Sequence, residues 1–212
     1  KSKKIFGWKI AASNIAGQKH IGVKSPLAGI LFEDKKFDFS EKIYLLPNNM
    51  NVAEIEFIFK IKKDLDFSKP AYTDNDTLTI VDGLYSGIEL PASRFKDFLN
   101  AGEALLIADN ACANQFILGP KLSDSWKNKN LADQDVFIEV NNKYKETGSG
   151  KHVLGNPLKA LKWLLNEFIK YKIQLKKGHF VASGTCTKPI AFKKGDILEA
   201  NYGDLGNFNI TI

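Results

Sequence analysis

The segment Val52-Ala-Glu-Ile-Glu-Phe-Ile-Phe-Lys60 constrains this chain more than any other. Its β-branched and aromatic residues at period two demand a strand, and a strand demands partners. Side chains alternate faces along it, so Ile55, Phe57 and Phe59 share one face while Glu54 and Glu56 share the other. Val52 and Ile58 flank the acids on their own face, which does not read as freely solvated. Two neighbouring carboxylates in an apolar setting repel each other and resist desolvation. A divalent cation relieves both problems, and Glu89 in Gly87-Ile-Glu-Leu-Pro91 offers a third oxygen ligand. Carboxylates without nearby His or Cys suit Mg²⁺ or Mn²⁺ better than Zn²⁺. From the pattern alone, a strand with one wet face and two solvated acids is the commoner arrangement.

With 212 residues, 44% of them hydrophobic and 15 of them Phe, the chain can build a sizeable core. No apolar run approaches the ~20 residues of a membrane span, so no membrane partner is expected. The chain opens on Lys1 without a signal-peptide pattern, and a trimmed N-terminus is expected. Cys112 and Cys186 lack metal spacing and read as reduced thiols of a cytoplasmic protein. The net charge of +6 raises the question of nucleic acid, but Arg94 is the only arginine among the basic residues. Bidentate base and phosphate recognition relies on arginine, so no nucleic-acid partner is expected. A mild positive field still favours small anionic substrates.

Strands are expected at Phe6–Ala12, Ala53–Lys62, Leu78–Val81, Gly87–Leu90 and Gln115–Leu118, with a helix over Ala101–Asn110. Asn141-Asn142 tolerates the positive φ of a tight hairpin between Asp135–Val140 and Lys143–Glu146. Asn156-Pro157 caps a helix whose Leu158, Leu161, Leu164, Leu165, Phe168 and Ile169 recur at helical spacing as far as Tyr171. Further strands follow at Phe180–Ser183, Ile190–Phe192, Ile197–Tyr202 and Phe208–Ile212. Few helices among many strands imply an α+β fold on a rolled, mixed sheet. No linker divides residues 1–212, so one domain is expected.

Ordered motifs then run nearly the length of the chain. They are Gly7-Trp-Lys-Ile10 with Ser13, Ala53-Glu-Ile-Glu56, Gly87-Ile-Glu-Leu90 with Ser93-Arg94, Ala108-Asp-Asn-Ala111 and Phe116-Ile-Leu-Gly119. Thr147-Gly-Ser-Gly150, Val153-Leu-Gly-Asn-Pro-Leu158, Ser183-Gly-Thr185 and Lys194-Gly-Asp196 complete the series. In this order they resemble the 2-keto-4-pentenoate hydratases of the fumarylacetoacetate hydrolase superfamily. The resemblance implies that superfamily's C-terminal fold, a homo-oligomer, and a divalent ion held at Glu54, Glu56 and Glu89, with Mg²⁺ ahead of Mn²⁺. It further implies addition of water to 2-hydroxypenta-2,4-dienoate-like 2-oxo or 2-enol acids in the breakdown of aromatic compounds. Lys9 matches the family lysine that meets the substrate carboxylate or assists proton transfer, and burial there is expected to lower its pKa. Ser13, Gly184 and Thr185 are expected to supply donors to the substrate, and Arg94 and Asp109 to form a buried supporting or structural ion pair.

The departures matter equally. Where several family hydratases carry an aspartate in an E-P-D-x-G-like stretch, this chain reads Ser25-Pro-Leu-Ala-Gly29 and places Leu27 there. His20 lacks the glutamate of the hydrolase branch's His–Glu pair, and His152 and His179 have no partners at metal spacing. The helical region that usually precedes the family's G-x-K motif is expected to be missing. Two alternatives stay open: a 2-oxo-acid decarboxylase of the 4-oxalocrotonate type, and a catalytically inactive structural or metal-binding homologue.

Overall fold

Strand alternation organises the whole molecule, which a computed structural model describes over residues 3–212. The first half contains β1 (Ile5–Ala11), α1 (Ile15–His20), β2 (Leu27–Phe32), β3 (Lys36–Asp38), β4 (Val52–Ile61), α2 (Asp74–Ile80), β5 (Val81–Leu90) and α3 (Glu103–Ala108). The second contains β6 (Gln115–Lys121), β7 (Asp135–Val140), β8 (Tyr144–Ser149), α4 (Pro157–Tyr171), β9 (Phe180–Thr185), β10 (Ile190–Ala191), β11 (Ile197–Asn201) and β12 (Asn207–Thr211). The eight-stranded sheet runs β2-β1-β9-β4-β5-β6-β3, with β10 pairing onto β4. A four-stranded sheet runs β12-β11-β7-β8. Because β1 pairs β9, and β3 pairs β6, in parallel while the other neighbours are antiparallel, the larger sheet is mixed. The architecture is α+β with few helices, as the sequence implies.

The core lies on one face of β4 and β5. Ile55, Phe57, Phe59, Ile88 and Leu90 are fully buried there, together with Leu161, Leu164, Leu165 and Phe168 of α4 and Val136, Ile138 and Leu198 of the smaller sheet. Each such side chain contributes about 1.5–3 kcal/mol of burial. The position of α4 follows from its ends: the Asn156 side chain accepts from Leu158 N at 2.9 Å, Pro157 occupies the first turn, and Lys172 closes the helix at φ 56°. Asn141 and Asn142 adopt φ 54° and 55° in the β7–β8 hairpin.

Two α-helices depart from the sequence expectation, and β2 and β3 add strands that it did not place. Leu78–Ile80 belongs to α2 rather than to a strand, and β5 begins only at Val81. A reciprocal cap decides this: Thr73 Oγ1 accepts from Asp76 N, and Asp76 Oδ2 accepts from Thr73 N. Helical spacing then buries Thr77 and Ile80 while Leu78 faces outward. The second departure is α1, which has no apolar stripe and is held by the Asn14 side chain accepting from Gly17 N at 2.7 Å. Among the described residues, no helix is long and apolar enough to cross a membrane.

Candidate functional site

The strand order β1-β9-β4-β5 brings the polar residues of four neighbouring strands to one place. Lys9 pairs with Ala182, Ala182 with Ile58, Glu56 with Thr185, and Glu54 with Glu89. Glu54, Glu56 and Glu89 each offer a carboxylate oxygen within 4.8 Å of the others. Glu56 and Glu89 have no exposed surface, and Glu54 is half-buried. Glu56 Oε2 accepts from Gly184 N at 2.8 Å, whereas Glu56 Oε1 and Glu89 Oε2 find no hydrogen-bond partner.

Burial, reinforced by the Glu89 charge, pushes the Glu54 carboxyl up to about 7. Burial and the two neighbouring acids raise Glu56 well above the carboxylate range, while at Glu89 burial raises the pKa against the opposing pull of Lys9. Three acids therefore face one ammonium in a desolvated pocket, with lone pairs left over. Those orphaned oxygens, and the lack of His or Cys within the cluster, fit a hard divalent ion.

Lys9 is buried, with Nζ 3.1 Å from Glu89 Oε1 and donating to the Ala111 carbonyl at 3.1 Å. Its pKa runs opposite to the expected lowering. Burial does pull it down, but the charges of Glu89, Glu54 and Glu56 together outweigh that and raise it above the ordinary lysine value. Lys9 therefore carries a fixed positive charge near neutrality. The Ala111 carbonyl reaches it from a left-handed run, Asn110, Ala111 and Cys112, with φ of 57°, 51° and 60°. The Asn110 side chain pins this run to β2, accepting from Ile30 N at 2.6 Å and donating to Ile30 O at 2.8 Å. Only Asn among these three residues signals left-handed backbone in the sequence.

Lys9, Ser13, Glu54 and Thr185 open onto a cavity of about 850 Å³. Gly184 does not line it directly: its N–H serves Glu56, and at φ 105° a Cβ there would lie 2.1 Å from Ser13 Oγ. The Thr185 hydroxyl donates to Thr187 O at 3.0 Å, which leaves its oxygen an acceptor toward the cavity. Leu27 forms part of an apolar wall with Leu106 and Ala111.

Arg94 and Asp109 are joined, but not as a buried pair, since the Arg94 side chain is 70% exposed and that of Asp109 is 1%. Asp109 also accepts from Ser93 Oγ at 2.6 Å and touches neither Lys9 nor the glutamates. It anchors the start of the left-handed run that presents Ala111. His20 stands exposed at the cavity, the His152 ring bonds to Cys186 O, and the His179 ring accepts from Lys176 N. The three glutamates have no histidine in their cluster.

With this geometry in view, comparison with known proteins is informative. Residues 54–212 match the fumarylacetoacetate hydrolase C-terminal family. A 2-keto-4-pentenoate hydratase of Paraburkholderia xenovorans (strain LB400) is 29% identical over 205 residues, covering 97% of this chain and 75% of that protein. A 4-oxalocrotonate decarboxylase of Pseudomonas putida is 25% identical over 98% of this chain and 77% of its own length. Among solved structures, 4-oxalocrotonate decarboxylase from Pseudomonas putida G7 complexed with magnesium and adipate superposes with a TM-score of 0.81 at 24% identity, covering 99% of this chain and 78% of its own.

Proposed function

The chain belongs to the fumarylacetoacetate hydrolase family, and from that premise we propose that it is a metal-dependent hydratase. Its substrates are small 2-oxo or 2-enol acids of the 2-hydroxypenta-2,4-dienoate type, formed when aromatic compounds are degraded. The observation that carries this reading is the convergence of Glu54, Glu56 and Glu89 beside Lys9 at a cavity wall. The similarity to a 2-keto-4-pentenoate hydratase over 97% of the chain supports the choice of reaction. The metal-complexed relative supports a divalent ion, with Mg²⁺ first and Mn²⁺ second.

Glu54, Glu56 and Glu89 would hold the ion, which when bound supplies Lewis-acid polarisation of the substrate's C2 oxygen. The chain's own residues do the rest. Lys9 Nζ, fixed between Glu89 and the Ala111 carbonyl, presents a permanent positive charge to the substrate carboxylate and holds a proton beside the reacting carbons. Ser13 Oγ, on the wall of the same cavity, donates to the substrate carboxylate, and Thr185 Oγ1, its proton engaged by Thr187 O, accepts from the substrate's enol hydroxyl. The apolar wall of Leu27 and Leu106 receives the hydrocarbon end and excludes stray water. Leu27 cannot move a proton, so no side chain at that position serves as base. Residues 1–212 act as one cytoplasmic hydratase-like unit. It assembles as a homo-oligomer, in keeping with the exposed Ile15, Leu105 and Ile107.

A second reading, decarboxylation of a 2-oxo-3-hexenedioate-like acid, is favoured by one observation: the sequence and structural likeness to 4-oxalocrotonate decarboxylase. Incubation with each acid and Mg²⁺ or Mn²⁺, following dienol absorbance and CO₂ in parallel, separates the two. Water addition without CO₂ supports the hydratase, and CO₂ release supports the decarboxylase. Ion binding without turnover of either acid would leave a metal-binding homologue.

A further inference from the structure

We propose that Tyr202 is a positioning residue for the carboxylate cluster, its hydroxyl wedged between β4 and β5 to set how far apart the strands bearing Glu56 and Glu89 stand. Antiparallel neighbours in a hydrogen-bonded pair exchange N–H···O bonds directly. At the Glu56–Gly87 pair a phenol also engages the backbone of both strands. Gly87 N donates to Tyr202 Oη at 2.9 Å, and Tyr202 Oη donates to Glu56 O at 2.7 Å, with Gly87 O at 3.0 Å. One buried hydroxyl thus bonds to the backbone of both strands at the residue pair that carries Glu56.

The surroundings set this pair apart. Register shifts fall beside it on both sides, between Glu56 and Ile58 where β4 meets β9, and between Tyr85 and Gly87 where β5 meets β6. Gly87 admits no side chain, because a Cβ would lie 2.7 Å from Ile58 Cγ1 and 2.8 Å from Phe116 Cζ. Tyr202 itself is fully buried just beyond β11, in the turn that joins β11 to β12 of the smaller sheet. Gln134 Nε2 holds its carbonyl at 2.9 Å, and its ring meets Phe57 edge-on at 5.2 Å. The smaller sheet thus reaches through the core to the strand pair that carries the site. Glu54 and Glu89 pair directly two residues from the wedge, so the separation it imposes is passed to their carboxylates.

This inference rests on the reading of the three glutamates as ion ligands, and one experiment separates the two. Mn²⁺ binding would be measured by electron paramagnetic resonance titration for wild type, Tyr202→Phe and Phe59→Leu. All three would be held at a temperature where circular dichroism shows folded protein, with melting temperatures recorded without metal. We expect Tyr202→Phe to weaken Mn²⁺ about tenfold, the scale of losing the hydroxyl's bonds to a buried N–H and C=O. Phe59→Leu, a fully buried core change further along β4, should lower the melting temperature and keep wild-type affinity. If Tyr202→Phe does not fold, 3-fluorotyrosine placed at 202 keeps the ring and hydroxyl but weakens the hydroxyl as an acceptor, and its Mn²⁺ affinity should still fall. Wild-type affinity in whichever Tyr202 variant folds, or affinity lost equally in Phe59→Leu, overturns the positioning role. Absence of Mn²⁺ binding by the wild type overturns the metal reading itself, and the inference with it.

Discussion

The two faces of β4 and β5 share one backbone and obey opposite rules. On one, Ile55, Phe57, Phe59, Ile88 and Leu90 pack against α4 and the smaller sheet, with every side chain satisfied by apolar contact. On the other, one residue away in each case, Glu54, Glu56 and Glu89 crowd like charges together and leave carboxylate oxygens unbonded. The first face stabilises the fold. The second is stable only because the first is, and its unbonded oxygens are the ones we propose a cation satisfies. Buried polar groups without partners mark a place where a protein gives up stability for chemistry.

The largest effect that would sharpen this contrast belongs to the apolar face. Phe57→Ala should lower stability by about 3–5 kcal/mol, with or without Mg²⁺, because it opens a cavity among fully buried neighbours. Denaturant unfolding monitored by circular dichroism measures it, and a Mg²⁺-dependent loss would break the comparison. Next comes Lys9→Met, which keeps the apolar stem and removes the ammonium. It should leave ion affinity in place and cut kcat/KM by ~10²-fold or more, the scale of losing a charge aimed at the substrate. Wild-type kinetics in that variant would remove Lys9 from the site.

Smaller in energy but opposite in sign is Glu56→Gln. It should weaken Mg²⁺ binding and turnover, yet without metal it should melt at the same temperature as wild type or higher, since one member of a repelling cluster is gone. Equal destabilisation with and without Mg²⁺ would place Glu56 among the core residues instead. The smallest expected effect is a pH trend in chelator-treated protein. The Glu54 carboxyl rises from its ordinary 4.5 to about 7 in the fold, so the folded chain binds protons that the unfolded chain has already released. Stability should therefore fall as pH climbs from about 4.5 through 7, and saturating Mg²⁺ should flatten that slope. Melting temperatures from pH 4.5 to 8 test it, and a rise over that range without metal would contradict the buried cluster.

How much of this was legible in the sequence depended on the range of the interaction involved. The α4 cap at Asn156-Pro157 and the Asn141-Asn142 turn lie within a few residues of what they control, and both form as their local chemistry dictates. Leu78–Ile80 misled because β-branched residues suit a strand, while the Thr73–Asp76 reciprocal cap started a helix just before them. The lysine pKa misled for a different reason. Burial of Lys9 was foreseeable from its motif, but the sign of its shift depended on how closely three acids from two other strands approach it.

The sequence by itself determined which side chains share a face. Alternation is a property of the extended backbone, and Glu54 and Glu56 could not be parted from each other or brought onto the face of Phe57. Tertiary structure alone decided that this face is buried, that Glu89 is the direct partner of Glu54, and that Lys9 points into the same cluster. It alone placed the Ala111 carbonyl on Lys9 and the Tyr202 hydroxyl between the strands, contacts that span 102 residues in the first case and 115 and 146 in the second. The physical reason is the difference in reach. Backbone geometry and capping act over a few residues, whereas desolvation, charge coupling and strand spacing depend on whatever the completed sheet sets alongside.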